Sequence, residues 1–413
     1  MSREAHSGAA DVVVAGAGIA GTGAALAAAA AGASVIVLDG GTGASHLATG
    51  AVDVRPWSLA RLADEPIDAG VRTVLDALDA YAVPDGGAAI LTSAGVIRPA
   101  RGHDRAILDV RGVRGRVGVV ACRRPGWDAA WLAAAWNDAR APFALGAAFE
   151  PLDAAIVRYQ DEEVLPEADF AARHDDSARL DWLAERLREA MARAGGIFAA
   201  IVLPPMLGVA RARAGELART LAVRAGEASA LPGGPAGLRF EAARDRAFAV
   251  AGIARIAARV SAIGGPGGPI VCDDGRTFRA PAVVLATGGL LGGGLTYAPS
   301  EATMVAELPH EASPPLRLSV MAPVVLGAHG RPLESPGTLF GYSPEAVSWP
   351  FAREPLLEQA GVLTGFSSGE DQAPPDASPL FAAGDVAADV PRTFLAALAS
   401  GTAAGEKAAR RSR

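Results

Sequence analysis

One stretch, DVVVAGAGIAGTGAALAAAAAGASVIVLD from Asp11 to Asp39, constrains this chain more than any other. Between its two acids run 27 residues without a charge, enough to cross a bilayer as a helix. The glycines point elsewhere. Val12, Val13 and Val14 suit a short strand. Gly16-x-Gly18-x-x-Gly21 follows, and an alanine-rich segment with Gly32 leads to a second strand-like run, SVIVLD. That order predicts strand, tight turn, helix and strand. Gly16 permits the turn, Gly18 leaves room for a pyrophosphate against the backbone, and Gly21 lets the helix lie close to the strand. The helix start would present N–H groups and a positive dipole end to phosphates. Asp39, 18 residues beyond Gly21, is spaced to accept ribose hydroxyls. The reading is a dinucleotide cradle formed by Gly16, Ala17, Gly18, Ala20 and Gly21, with Asp39 and Gly40 at the ribose. Its helix is a soluble core helix, since alanine packs closely between a sheet and its neighbours.

The 413 residues suffice for two or more domains. A net charge of −7 argues against a nucleic-acid binder. The densest basic run, RGVRGRVGVVACRR from Arg111 to Arg124, reads as a solvated strand edge, the alternative being a patch for an anion or acidic partner. Cys122 and Cys272 are the only cysteines and share no paired spacing, so neither a disulfide framework nor a thiolate metal site is expected, and a reducing compartment suits them. Six scattered histidines without a His-x-x-x-His pattern give no metal site. The opening MSREAHSGAAD lacks the apolar core of a signal peptide. The expected location is cytoplasmic.

Two later segments bear on the nucleotide. PIVCDDGRTFRAPAVVLATGG (269–289) predicts a hairpin turning at Asp273-Asp274-Gly275, then a buried strand from Val283 to Ala286. PLFAAGDVAADVPRTFLAALASGTAAGEKAARR predicts a short strand ending at Gly384-Asp385 and a helix from about Arg392. With the N-terminal cradle, this trio resembles the two-dinucleotide-binding-domain flavoproteins, FAD-dependent oxidoreductases that include the fumarate reductase group. The resemblance implies that Ala286, Thr287 and Gly288 pass the ADP half of the cofactor and that Gly384-Asp385 holds the ribityl chain. It also implies that the last helix, starting near Thr393, points at the flavin C2 carbonyl, where a helix dipole stabilises the reduced ring. GGIFAAIVLPPMLGVARARAGELARTL (195–221) reads as strand, loop and helix without a second glycine triplet. A separate NAD(P)H domain is therefore not expected. The electron partner should be another redox protein, a quinone-linked chain or the substrate itself.

Further landmarks run in order: GASHLATGAVDV (Gly43–Val54), RPARGHDRAIL with Pro99, Gly102 and Arg105, VLPPMLGV with Pro204 and Gly208, LPGGPAGLRF with Leu231, Pro232, Gly237, Leu238 and Arg239, and VVLATGGLLGGGL (Val283–Leu295). Together they resemble the second of the three subunits of the anaerobic glycerol-3-phosphate dehydrogenase. That family implies oxidation of sn-glycerol 3-phosphate to dihydroxyacetone phosphate beside a catalytic flavoprotein subunit and an iron–sulfur membrane-anchoring subunit, with electrons passed to quinone. By this resemblance the chain would lie in the cytoplasm, peripheral to the membrane through a partner and without a span of its own. Thr49 and Gly50 join the cofactor residues on the same ground. The family is described as carrying FMN, but the glycine triplet with Asp39 suits the adenosine end of FAD, which is the cofactor expected. The chain departs from the family at AADVPRTFLAAL, where Pro391 and Arg392 replace a glycine-rich run.

Oxidising a secondary alcohol with flavin requires a hydride acceptor and a base for the hydroxyl proton. A substrate phosphate calls for an arginine fork. Arg105 and Arg239 are the clamp candidates, with salt bridges as their alternative use. His46 is the base candidate, other roles being a hydrogen bond to the flavin, an 8α-histidyl link or a purely structural place. His103, flanked by Arg101 and Arg105, is a weaker base candidate and reads first as an exposed loop histidine. His174 reads as a helix lead-in capped by Asp175 or Ser177, and His310 and His329 receive no role. Trp127, Trp131 and Leu132 predict the core stripe of a helix over Trp127–Ala139, and Leu180–Gly195 predicts a second helix. The expected fold is α/β: a Rossmann-like FAD-binding domain (1–55, 250–300 and 370–413) of the two-dinucleotide-binding-domain type, with an inserted cap or substrate domain (56–249 and 301–369). Three functions fit: a dehydrogenase of the glycerol-3-phosphate type, a non-catalytic flavin-carrying relay or scaffold subunit, or an FAD oxidoreductase acting on another small metabolite.

Overall fold

The computed structural model describes residues 8–54, 66–263, 268–289, 291–299, 316–320, 334–335, 362–363, 380–388, 390 and 392–413. The chain divides into two compact units. The first comprises Met1–Ala44, Asp68–Val74 and Ala247–Arg413; the second comprises Ser45–Ile67 and Leu75–Arg246. Ser45 to Val54 thus groups with the second unit, where the sequence boundaries put it with the first.

The first unit is built on a five-stranded, wholly parallel sheet. Across the sheet run Ala254–Ala257, Val35–Asp39, Val12–Ala15, Ala282–Leu285 and Leu380–Ala382. Numbered by their order in the chain, these strands read 3-2-1-4-5, the dinucleotide-fold order whose direction of winding reverses between strands 1 and 4. Val12–Ala15 and Ala282–Leu285 are buried throughout, as expected of parallel strands covered on both faces.

One face is covered by a small sheet of Gly8–Ala9, Thr277–Arg279, Ile270–Cys272 and Val260–Ile263. Its Val260, Ile270 and Phe278 pack with Val13, Leu38, Val283 and Leu285. The predicted hairpin is there: Ile270–Cys272 and Thr277–Arg279 pair antiparallel around Gly275, whose φ of +84° suits glycine. The helices Ile19–Ala30 and Phe394–Arg411 also belong to this unit. They meet backbone to backbone. A β-carbon on Gly401 would overlap the Ala20 carbonyl, and one on Gly405 the Ala24 carbonyl. A β-carbon on Gly23 would stand 2.8 Å from the Leu398 carbonyl oxygen. Glycines on both helices therefore set the spacing.

The second unit holds its own parallel sheet, in the order Gly146–Asp153, Arg114–Ala121, Ala200–Leu203, Arg224–Glu227. Counted along the chain this is 2-1-3-4, the start of the flavodoxin-type winding. Side chains alternate across it. Val117 and Val119 face a core with Leu132, Trp136 and Phe149, and Val120 faces Leu152, Phe170, Leu183, Leu187 and Leu217. Helices Ala129–Ala139, Ser177–Arg193 and Ala214–Leu221 fill the connections.

Three sequence expectations change here. The Arg-rich run is an interior strand: Arg116 pairs with Glu150 on the neighbouring strand and lies 4.5 Å over the Phe198 ring, so its charge is neutralised across the sheet. Trp131 is 54% exposed, and Trp136 takes the core place. Asp176, not Asp175 or Ser177, caps the helix after His174, accepting from Ala178 N at 2.9 Å. Asp175 instead accepts from the Val209 and Ala210 amides.

Candidate functional site: a nucleotide cradle at the sheet's switch point

In open parallel sheets, ligands bind beyond the carboxyl ends of the strands where the winding reverses. In the first unit that point lies between Val12–Ala15 and Ala282–Leu285, and the predicted cofactor residues extend from it. Gly16 leaves the first strand with φ +111°, and a β-carbon there would overlap the Ala286 carbonyl. Its amide donates to Leu38 O at 2.8 Å. A β-carbon on Gly21 would overlap the Gly16 carbonyl. The two glycines thus close strand, turn and helix onto the adjacent strand. The helix begins on Gly18, which has no side chain to cap it, and its first intrahelical bond runs from Thr22 N to Gly18 O at 2.8 Å. Gly16 and Gly18 keep partial solvent exposure, whereas Ala17 and Ala20 are buried.

The other predicted residues of this unit gather around the turn. Ala286 N donates to Ala15 O at 2.8 Å, setting Ala286-Thr287-Gly288 beside Gly16. The Thr287 hydroxyl is buried without a hydrogen-bond partner. Gly384, at φ +69°, lies against Ala20, and its amide donates to Ser400 Oγ at 2.9 Å. Asp385 follows in a short 3-10 turn. Burial pushes its carboxyl above the ordinary aspartate range, against the opposing pull of Arg392. A β-carbon on Gly289 would stand 3.0 Å from Asp385 Cβ, so the Gly-Asp turn and the Ala-Thr-Gly-Gly turn touch. Thr393 is the N-cap of the last helix by position, and its side chain makes no capping hydrogen bond. Pro391 lies outside the described residues, as do His310 and His329.

At the far end of the second strand, Asp39 accepts from Gly41 N at 3.0 Å and from Arg255 at 2.6 Å. A carboxylate has about four lone-pair sites, so capacity for ribose hydroxyls remains. Gly40 is exposed. These features fit a dinucleotide with a pyrophosphate. The cradle exists only where β-carbons are missing, its helix starts on a glycine with no capping side chain, and the buried Thr287 hydroxyl has no hydrogen-bond partner.

The remaining candidates belong to the second unit. Gly50 has φ +91°, and a β-carbon there would stand 2.6 Å from Ile107 Cδ1. Thr49 O accepts from Ser229 Oγ at 2.8 Å. His46, on the short 3-10 helix Ala44–Leu47, sets Nδ1 3.1 Å from Glu241 Oε1. Arg105 is half exposed, pairs with Asp79 and donates to Tyr81 O at 3.2 Å. His103 is not an exposed loop residue: it is buried in the strand Gly102–Asp104, its Nδ1 2.8 Å from Asp104 O.

Arg239 corrects the sequence reading. Its side chain is 2% exposed, with Nε donating to Asp104 at 2.8 Å, one terminal nitrogen to Gly208 O at 2.7 Å and the other to Glu227. Burial opposes the charge, but the two carboxylates outweigh it and hold the guanidinium above its ordinary pKa. Burial, with Asp104 adding to it, pushes the Glu227 carboxyl upward, although Glu227 also accepts from Met206 and Leu207 amides at 2.9 Å each. A fork committed on every side is a structural triad rather than a phosphate clamp. Sequence reasoning missed its two acids, because nothing in their local context distinguishes Asp104 and Glu227 from surface carboxylates.

Residues 11–95 match the family model described as "FAD binding domain". No curated protein matches the sequence. Among solved structures the chain is similar to iminodiacetate oxidase from Chelativorans sp. BNC1 (16% identity, 96% of this chain and 94% of that one, TM-score 0.30). It is also similar to glycine oxidase from Bacillus cereus ATCC 14579 (13%, 97% and 94%, 0.33). A third is 3-ketosteroid-delta4-(5alpha)-dehydrogenase from Rhodococcus jostii RHA1 (17%, 68% and 46%, 0.24). At these identities and TM-scores no substrate carries over. The cradle at the switch point and the family match lead to one conclusion: this is an α/β protein with a Rossmann-like FAD-binding domain.

Proposed function

We propose that the chain is a flavin-dependent oxidoreductase acting on a small hydroxy substrate, with sn-glycerol 3-phosphate, giving dihydroxyacetone phosphate, as the first candidate. The observation that carries the redox reading is the meeting, within one unit, of the glycine cradle and the Gly384-Asp385 turn. A plain nucleotide-binding domain needs the first and has no use for the second. Bound FAD supplies a two-electron acceptor for the substrate's hydride. The chain's own residues then have three tasks. Gly16, Gly18 and the helix start receive the pyrophosphate. Asp385 orients the ribityl chain through its carboxylate. His46 takes the hydroxyl proton.

With Arg239 committed to its buried triad, Arg105 is left as the phosphate-binding candidate of the original two. That loss favours a second reading, in which the substrate is another small hydroxy or amino compound with a weaker demand for a cationic clamp. The electron acceptor in either case is a partner protein leading to quinone, with a catalytic flavoprotein and an iron–sulfur membrane-anchor subunit as proposed partners. Membrane association would then come through the partner. Among the described residues no helix is long and apolar enough to cross a membrane.

The test is anaerobic mixing of the FAD-loaded chain with sn-glycerol 3-phosphate while the flavin's visible absorbance is followed. Bleaching supports the first candidate. Bleaching by a different hydroxy or amino compound selects the second reading. Flavin that no metabolite reduces, but that a partner protein does, overturns both in favour of a relay role.

A further inference from the structure

We infer that Glu241 is a positioning residue for His46, and that the helix Pro235–Ala251 is built to hold the two together; this rests on the hydroxy-oxidising reading above. The evidence is a three-part arrangement on that helix, within its second-unit residues Pro235 to Arg246. A β-carbon at Gly237 would overlap the His46 carbonyl, so only glycine lets the helix lie against the short His46 helix. Glu241 follows four residues later, one turn along the same face. Its Oε1 stands 3.1 Å from His46 Nδ1, with the two side chains 31% and 29% exposed. Arg239, between them in sequence, is fastened to Asp104, Glu227 and the Gly208 carbonyl. One position admits the histidine backbone, one aims its ring, and one locks the register of the helix that carries both.

The chemistry follows from what a carboxylate can do. An ionised Glu241 only accepts hydrogen bonds, so Nδ1 of neutral His46 must carry the ring proton and Nε2 must carry the lone pair. A base is thereby prepared with its basic atom on the side of the ring away from Glu241. When the substrate's O–H proton passes to Nε2, the C–O bond becomes a carbonyl as the hydride leaves the same carbon for the two-electron acceptor that bound FAD would supply. The resulting imidazolium is stabilised by the Glu241 charge, the part played by the carboxylate in a Ser-His-Asp triad. The hydrogen bond to Nδ1 also argues against a covalent flavin link through that nitrogen.

The experiment uses the FAD-loaded full-length chain with 15N-labelled histidine. The His46 signals are identified by their loss in His46→Gln, and the tautomer is read from the ring nitrogen shifts above the range where histidine titrates. The expected result is Nδ1–H in the wild type, lost in Glu241→Leu and kept in Glu241→Gln, whose amide oxygen still accepts. With sn-glycerol 3-phosphate as the probe, flavin reduction should slow about 10- to 100-fold in Glu241→Leu at unchanged flavin content. Glu241→Gln should fall between. An Nε2–H tautomer in the wild type, or an unchanged tautomer in Glu241→Leu, overturns the inference. So does reduction at the wild-type rate in His46→Gln. The oxidation reading fails on a separate result, the absence of flavin reduction by any hydroxy compound in wild-type protein, and the tautomer measurement does not depend on it.

Discussion

At the scale of single residues, the glycine at position 16 bears the most weight. Alanine there must adopt φ +111° and meet the Ala286 carbonyl; the backbone strain alone is on the order of 1–3 kcal/mol. Gly16→Ala should therefore purify with little or no flavin, read as the flavin-to-protein ratio, while circular dichroism shows the fold retained. Arg239 gives a different kind of prediction. Arg239→Leu leaves Asp104 and Glu227 buried together without their cation, at a cost of about 3–5 kcal/mol, visible as a lower urea midpoint. Its role was not legible in the sequence, because an arginine beside glycine looks the same whether it faces a substrate or two buried acids. His174 tests pH. It is fully buried, with Nδ1 3.0 Å from Phe170 O, and burial above all, aided by Arg179, holds its pKa down to about 4 against an ordinary 6.5. The unfolded chain protonates first as pH falls, so stability declines from about pH 6.5 to about pH 4 and is unaffected above that window. His174→Asn keeps a donor for the Phe170 carbonyl and should flatten that decline, measured as urea midpoints across the same range.

At the scale of elements, the best-read segment was the first one. Strand, turn, helix and strand fall where the glycine spacing and the β-branched runs put them, because each local preference there agrees with the fold. The Arg-rich strand was misread for a physical reason. Arg114 and Arg116 sit at its amino end, where Glu150 and Phe198 cover one of them, and Val117 to Val120 carry the burial. The glycines of the C-terminal helix were also silent in the sequence. In a helix, glycine costs about 1 kcal/mol relative to alanine, and only the contact with the first helix explains Gly401 and Gly405. Gly405→Leu must drive that helix off the Ala24 carbonyl. It should lower the thermal midpoint markedly and loosen flavin retention, since the same helix start follows Asp385. Gly215→Leu, in a different helix where a β-carbon meets nothing, serves as the neutral control.

At the scale of the whole molecule, the chain divides into two units, each with a parallel sheet of its own. The 3-2-1-4-5 order of the first was anticipated by its fingerprint. The 2-1-3-4 order of the second was not, because its strands carry no glycine triplet and a βαβ unit without one has no sequence signature beyond periodicity. The central claim concerns the first unit: that its switch-point cradle and its Gly-Asp turn hold one FAD. The most direct measurement is to purify the chain, release any bound flavin, identify it by mass and titrate the stripped protein with FAD. The account predicts FAD, close to one per chain, lost in Gly16→Ala. Folded protein that is colourless and takes up no added FAD would contradict it.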